Sequence, residues 1–156
     1  MIQMSIEAVE AFFKEKQVSH QIVLLEESSA TVSLAAEALK TTEIQIAKTL
    51  AFNVNDESIV IVACGTAKID NRKFKDTFHT KAKMMSYEET LEKTGHPVGG
   101  VCPFGLPKQV KIYLDESLKQ SEEVYPAAGS PHAVVKMSLH ELAEITEGEW
   151  VDVCKE

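Results

Sequence analysis

Residues 48–64, with the sequence KTLAFNVNDESIVIVAC, decide the fold class that we predict for this chain. Apolar and β-branched residues dominate 48–54 and 58–64, and Asn55 and Asp56 between them favour a tight turn. Residues 59–62 are continuously apolar, which is typical of a strand that is covered on both faces. The stretch therefore predicts two strands joined by a turn, of which the second is buried.

Helical and extended patterns alternate along the rest of the chain. Further strands are expected at residues 21–25, 83–86, 109–114, 123–125, 132–137 and 150–154, and helices at about 5–17, 31–39, 41–47, 70–78, 87–94, 115–120 and after 138. Ser5 and Asp70 are predicted N-caps, while Ser86 and Glu89 form a capping box for a helix that ends at Gly95. Short strands interleaved with helices favour an α/β or α+β domain with a mixed, strongly curved sheet.

Length and composition restrict the classes of protein that the chain represents. With 156 residues and 44% hydrophobic content, we expect one domain over residues 1–156. No run of about 18 apolar residues and no basic, apolar leader is present, which favours a soluble, cytoplasmic protein with no membrane partner. Dispersed cysteines and histidines, and the lack of a dinucleotide or Walker motif, predict no metal and no cofactor.

A basic segment stands out against the net charge of −8. Residues 68–83 include six basic and two acidic side chains, whereas the remainder has ten basic and twenty-two acidic ones. A basic island on an acidic body suits a protein that docks one anionic segment, such as RNA, in a chosen orientation. An ordinary solvated helix face is the alternative. The basic residues are Lys68, Arg72, Lys73, Lys75, Lys81 and Lys83.

Residues 94–107, TGHPVGGVCPFGLP, hold four of the seven glycines and three of the five prolines in the chain. Glycine permits positive φ and lets a ligand approach the main chain, whereas proline fixes φ and removes a donor. The stretch therefore predicts a rigid loop whose free N–H groups face an anion or a developing oxyanion. A tight connection without a ligand is the alternative.

Four motifs, in order, carry a resemblance to a known family. They are KTL at 48–50, GTAKID at 65–70, TGHPVGGVCPFG at 94–105 and AGSPH at 128–132. Together they resemble the YbaK/prolyl-tRNA synthetase editing-domain family. The resemblance implies a mixed sheet bent towards a barrel and flanked by helices. It also implies hydrolysis, in trans, of amino acids wrongly esterified to the CCA end of a tRNA, often tRNA(Pro), with an aminoacyl-tRNA synthetase as a possible further partner.

The resemblance also implies roles for individual residues. Lys48 matches the functional lysine of the family and is expected to place a cation near the ester or the terminal phosphate; an exposed strand-end lysine is the alternative. Gly99 and Gly100 match the loop whose main-chain groups face the ester, so these three residues are the expected catalytic set. The expected substrate-binding residues are Ile46, Val101, Cys102, Pro103, Gly129, Ser130 and His132, and the expected tRNA-binding residues are Lys68, Arg72, Lys73 and Lys75.

The histidines and Cys102 have alternative roles. His132 matches the substrate-holding histidine of the prolyl-tRNA synthetase editing type, which YbaK-type members lack; a local hydrogen bond is the alternative. Cys102 has the setting of a nucleophile, yet the family implies hydrolysis without a covalent intermediate and a small pocket-lining side chain. His96 favours a structural role, and His20 lies near a family position that lines the pocket.

Two functions remain open from the sequence. One is an aminoacyl-tRNA deacylase that acts on an Ala, Ser, Cys or Thr ester. The other is a non-catalytic module that binds tRNA or a synthetase through the same pocket. Lys48, the intact loop and His132 favour the enzyme, because a pure adaptor has little need of all three.

Overall fold

The computed structural model describes residues 2–19 and 22–155, so His20 lies outside the described residues. Strands lie at Val23–Leu24 (β1), Ile46–Val54 (β2), Glu57–Cys64 (β3), Lys111–Asp115 (β4), Glu123–Pro126 (β5), Ala133–Val134 (β6), Met137–Ser138 (β7) and Glu149–Val151 (β8). α-Helices lie at Ile2–Glu15 (α1), Val32–Leu39 (α2), Asn71–Phe78 (α3), Tyr87–Thr94 (α4) and Leu139–Thr146 (α5), with 3₁₀ helices at Glu43–Gln45 and Glu116–Gln120.

One mixed sheet organises these elements, with the strand order β7–β5–β2–β3–β4–β8. β2 and β3 pair in antiparallel fashion through the turn that the sequence predicts. β5 joins β2, β4 joins β3 and β8 joins β4 in parallel, whereas β1 and β6 pair separately. The sheet curls into a half-barrel flanked by helices, which confirms the predicted α/β fold with a curved mixed sheet.

The apolar run at 59–62 in β3 is buried on both faces, as predicted, with at most 1% of each side chain exposed. Ile61 packs on one face with Phe74 of α3, and Val62 packs on the other with Phe13 of α1. Burying a side chain of this kind stabilises a fold by about 1.5–3 kcal/mol. β3 therefore separates the buried cluster that contains Phe13 from the one that contains Phe74.

Side-chain caps set the ends of the predicted helices. Asp70 accepts hydrogen bonds from the main-chain N–H groups of Arg72 at 2.9 Å and Lys73 at 3.1 Å, which begins α3. Ser86 and Glu89 form the predicted capping box at the start of α4. The caps are predicted correctly from the sequence because each depends only on neighbouring residues.

Two helix predictions are wrong. α1 begins at Ile2, so Ser5 lies inside the helix and not at its cap, and its buried hydroxyl bonds to His96 instead. Ile46 and Ala47 were expected in a helix but open β2, because they pair with β5. In each case a partner distant in sequence overrides the local propensity.

The strand predictions also need correction. Residues 83–86 form only an isolated bridge, between Met84 and Phe52, and residues 132–137 are divided between β6 and β7, which belong to different sheets. β8 ends at Val151, and Cys154 forms a separate bridge with Ile69.

The described helices include none that is both long and apolar enough to cross a bilayer.

Candidate active site

A cavity of about 490 Å³ opens beside an uncovered edge of β2. β5 pairs with β2 only at Ile46 and Ala47, and farther along the N–H of Met85 donates to the carbonyl oxygen of Ala51 at 3.0 Å. Between these contacts no strand of the described chain covers Thr49. The cavity therefore combines a mostly apolar wall with the polar main-chain groups of an open strand edge.

Glycines join the predicted loop to a second loop beside the cavity. Gly99 lines the cavity and has a φ of +92°, which favours glycine. The N–H of Gly100 donates to the carbonyl oxygen of Pro97 at 2.9 Å, and its own carbonyl accepts from the N–H of Gly129 at 3.0 Å. A side chain at position 100 would overlap the main chain of Gly129 and Ser130. The two loops approach this closely because position 100 is glycine.

A buried histidine holds the loop from behind. The Nε2–H of His96 donates to the carbonyl oxygen of Phe104 at 2.7 Å, and Nδ1 accepts from the hydroxyl of Ser5. A carbonyl oxygen only accepts, so the bond to Phe104 places a proton on Nε2, and in the neutral ring Nδ1 is then the acceptor. Burial lowers the pKa of His96, which maintains that neutral form. His96 therefore connects α1 to the loop and does not face the cavity.

The thiol of Cys102 lies in the same interior and does not line the cavity. Complete burial raises its pKa to about 12, the opposite of what a thiolate nucleophile requires. Its sulfur lies 3.7 Å from Nε2 of His96, but that N–H is already donated to Phe104. Cys102 thus has the environment of a packing residue.

Lys48 extends along one side of the cavity from β2. Its ammonium donates to the carbonyl oxygens of Ala67 and, at 3.3 Å, Gly65. Desolvation is the main influence on this half-buried group and lowers the pKa of Lys48. An ammonium has three donors, so one N–H of Lys48 remains for another acceptor.

Thr49 was missed by the sequence analysis. Among the described residues, its Oγ1 is the buried side-chain oxygen that has no hydrogen-bond partner, and Thr49 lines the cavity at the open edge of β2. An unpartnered buried hydroxyl costs about 1–3 kcal/mol unless a ligand satisfies it. The available signal was a polar residue in a strand that is otherwise mostly apolar.

The structure brings together only part of the expected substrate site. Lys48, Gly99, Ile46 and Val101 line the cavity. His132 does not; its ring is exposed and its Nδ1 lies 3.3 Å from the carbonyl oxygen of Leu25. The other expected residues that do not line the cavity are Gly100, Cys102, Pro103, Gly129 and Ser130.

The expected tRNA-binding residues lie away from this cavity. Lys68 and Lys73 border a second, polar cavity, where the ammonium of Lys73 donates to Asp152 at 3.1 Å and to the carbonyl of Cys154 at 3.0 Å. Arg72 and Lys75 are exposed on α3. Nowhere in residues 2–19 and 22–155 do three His, Cys, Asp or Glu side chains come together as ligands for a metal ion.

The half-barrel sheet holds a mostly apolar cavity at the open edge of β2, which Gly99 also lines. The family model described as the aminoacyl-tRNA editing domain matches residues 26–145, and the chain belongs to that family. The resemblance on the four sequence motifs is thereby confirmed.

Individual relatives support the same assignment. The chain is 44% identical to the uncharacterized protein YwhH of Bacillus subtilis, over 98% of this chain and 99% of that one. It is 26% identical to EbsC of Enterococcus faecalis, provisionally named a Cys-tRNA(Pro)/Cys-tRNA(Cys) deacylase, over 81% and 79% of the two chains. A solved structure provisionally described as a trans-editing enzyme for prolyl-tRNA synthetase superposes with a TM-score of 0.89, at 27% identity over 97% and 98% of the chains. Proline–tRNA ligases also match, and the chain spans about a fifth of their length.

Proposed function

We propose that this protein is a trans-editing aminoacyl-tRNA deacylase that removes a mischarged small amino acid, of the Ala, Ser, Cys or Thr class, from tRNA(Pro). The observation that carries the proposal is the cavity at the open edge of β2, where Lys48, Thr49 and Gly99 meet a mostly apolar wall. Membership of the aminoacyl-tRNA editing family supports the reaction class. An alanine- to threonine-sized side chain suits a wall that includes Ile46 and Val101.

The amino acid is held by polar groups that the folded protein leaves unsatisfied. The hydroxyl of Thr49 lacks a partner, and strand alternation directs the main-chain groups of Thr49 to the same edge as those of Ala51. A substrate ammonium would donate to the Thr49 hydroxyl or carbonyl oxygen. This contact positions the ester without selecting among small side chains.

Hydrolysis follows from the loop and the lysine. Water attacks the ester carbonyl and loses a proton, the carbonyl oxygen takes up negative charge, and the bond to the ribose oxygen then breaks as that oxygen gains a proton in exchange. Stabilisation of the oxyanion is assigned to the main chain of the loop at Gly99, which lines the cavity, whereas Gly100 supports the loop through its bonds to Pro97 and Gly129. The ammonium of Lys48 donates its remaining N–H to the oxyanion or to the terminal phosphate, and its positive charge stabilises that group.

Contacts with the rest of the tRNA are assigned to cations of the basic segment, of which Lys73 is half-buried and would exchange its bond to Asp152 for one to a phosphate. Lys68, Arg72, Lys73 and Lys75 are proposed to meet phosphates away from the acceptor end, since none of them lines the cavity. His132 is proposed to reach the substrate after its ring turns from the carbonyl oxygen of Leu25. An aminoacyl-tRNA synthetase is the further partner proposed for delivery of the mischarged tRNA.

A panel of mischarged tRNAs tests the function. tRNA(Pro) carrying alanine, serine, cysteine or threonine is incubated with and without the protein, and release of the labelled amino acid is measured. We expect enzyme-dependent loss of at least one of these esters and no loss of the prolyl ester. Binding of tRNA without turnover on any of the four would exclude the deacylase and favour the non-catalytic module.

A further inference from the structure

The mouth of the cavity must receive the last nucleotide of the RNA, because the ester joins the amino acid directly to that nucleotide's ribose. This step rests on the proposed function. Three large apolar residues that line the cavity are also strongly exposed, namely Met84, Tyr87 and Val98, at 59%, 63% and 45%. Exposed apolar side chains beside a ligand cavity mark a binding surface.

Tyr87 has the free aromatic face that a nucleobase needs. It begins α4, and within the described part of the chain no other aromatic ring packs against its own. Its main chain is held by the two residues before it: the N–H of Met85 donates to Ala51, and Ser86 forms the capping box with Glu89. A ring on a rigid backbone gives a stacking surface at low entropic cost.

Positive charge accompanies this surface. Lys81 and Lys83 lie three residues and one residue before Met84, both are exposed, and neither ammonium forms an ion pair within residues 2–19 and 22–155. The carbonyl of Lys83 accepts from the N–H of Asn53 at 2.9 Å, which holds the segment along β2. By contrast, Lys73 of the same basic segment already bonds to Asp152. Lys81 and Lys83 are therefore exposed cations without an ion pair in the segment that leads to Met84, although neither lines the cavity itself.

An aromatic face beside free cations is the arrangement that binds single-stranded nucleic acid, since bases stack and phosphates pair with ammonium groups. We propose that Tyr87, with Met84 beside it, stacks the 3′-terminal base of the RNA, and that Lys81 and Lys83 contact the phosphates of the last nucleotides. Tyr87 acts as a positioning residue: it holds the nucleotide whose ester enters the cavity and does not touch the reacting atoms.

Fluorescence of the terminal base tests the proposal directly. The probe is a tRNA whose 3′-terminal adenosine is replaced by 2-aminopurine riboside and carries alanine through a non-hydrolysable amide. We expect the wild-type protein to quench the probe, and Tyr87→Ala to lose the quenching and raise Kd about tenfold, the scale for one stacked base. Tyr87→Phe retains the ring and restores both. In deacylation, Tyr87→Ala raises KM and changes kcat little, which a general structural defect would not do.

Matched controls separate this surface from others. Leu24→Ala removes an apolar side chain that is 69% exposed but does not line the cavity, and should bind like wild type. Lys81→Gln with Lys83→Gln should weaken binding and reduce the slope of log K against log salt concentration by about 0.7 for each lost phosphate contact. Lys14→Gln with Lys108→Gln should leave both the affinity and this slope unchanged.

The outcomes also distinguish this inference from the proposed function. Quenching and Kd that stay within twofold of wild type in folded Tyr87→Ala would overturn the stacking surface, even where the protein deacylates tRNA. Tyr87-dependent quenching in a protein that hydrolyses none of the four esters would uphold the surface and exclude the deacylase.

Discussion

Replacing Gly99 with alanine tests the loop most sharply. The φ of +92° at this position costs a residue with a side chain about 1–2 kcal/mol. A Cβ at position 99 would also lie 3.0 Å from the Cβ of Ala30, which is closer than an ordinary van der Waals contact. Overlap of this kind adds about 1 kcal/mol or more. We therefore expect Gly99→Ala to lower the free energy of unfolding by about 2–3 kcal/mol.

Activity should fall much more than stability. The strain is relieved by movement of a loop that lines the cavity, and a shift of about 1 Å in a positioning group costs about 100-fold in rate. We expect kcat/KM for a mischarged tRNA to fall by about that factor, while the thermal midpoint falls by about 5–10 °C for a domain of this size. Single-turnover deacylation and thermal unfolding measure the two effects.

Gly95 supplies the matched control. It also has a positive φ, +80°, but a Cβ there would meet no atom within 4 Å, and Gly95 does not line the cavity. Gly95→Ala should therefore lose about 1–2 kcal/mol of stability and keep kcat/KM within about twofold. Adding Ala30→Gly to Gly99→Ala removes the closest contact but leaves the Cα of residue 30 at 3.3 Å and the φ strain, so part of the lost stability, up to about 1 kcal/mol, and part of the rate should return. Folded Gly99→Ala that hydrolyses as fast as Gly95→Ala would refute the role of this loop.

Four further predictions follow from the site. Lys48→Ala should fold and lose about 100-fold in turnover, with little change in tRNA affinity. Lys40→Ala changes an exposed lysine outside the cavity and should keep its turnover. A near wild-type rate for Lys48→Ala would contradict the mechanism. Cys102→Ser should keep its activity, because burial raises the pKa of the Cys102 thiol to about 12, and complete loss of hydrolysis in a folded variant would instead identify a nucleophile. Thr49→Val should raise the free energy of unfolding by about 1 kcal/mol, since an unpartnered buried hydroxyl disappears, yet raise KM; unchanged KM would remove Thr49 from the substrate site. Burial places the pKa of His96 below its ordinary value of 6.5, so the free energy of unfolding should fall as pH drops through and below 6.5. Urea denaturation at pH values from 7.5 to 5.5 measures this fall, and the free energy of unfolding should depend less on pH in His96→Gln.

Much of the fold was predictable because its signals are local. The caps at Asp70 and Ser86 and the apolar run at 59–62 each depend on neighbours in sequence, and the structure shows all three. Ser5 and Ile46 were placed wrongly because their partners are distant: His96 binds the hydroxyl of Ser5, and β5 draws Ile46 into β2. Secondary-structure propensity contains no information about partners that are distant in sequence.

The candidate site was also predicted only in part from the sequence. The loop at Gly99 and the lysine at position 48 were identified from the sequence, and both line the cavity. The unpartnered hydroxyl of Thr49 and the exposed face of Tyr87 were not, because a hydrogen-bond deficit and a solvent-exposed ring exist only once the chain has packed. Which residues border one cavity depends on long-range register, to which sequence spacing gives no guide.

The sequence by itself determined the curved α/β fold, the glycine-rich loop and the editing family, because periodicity, turn chemistry and ordered motifs are written along the chain. Only the tertiary structure decided that Cys102 and His96 face the interior, that His132 lies outside the cavity, and that the edge of β2 at Thr49 is open. The physical reason is that burial, a shifted pKa and an open strand edge are properties of packed surfaces, which form only when distant segments meet.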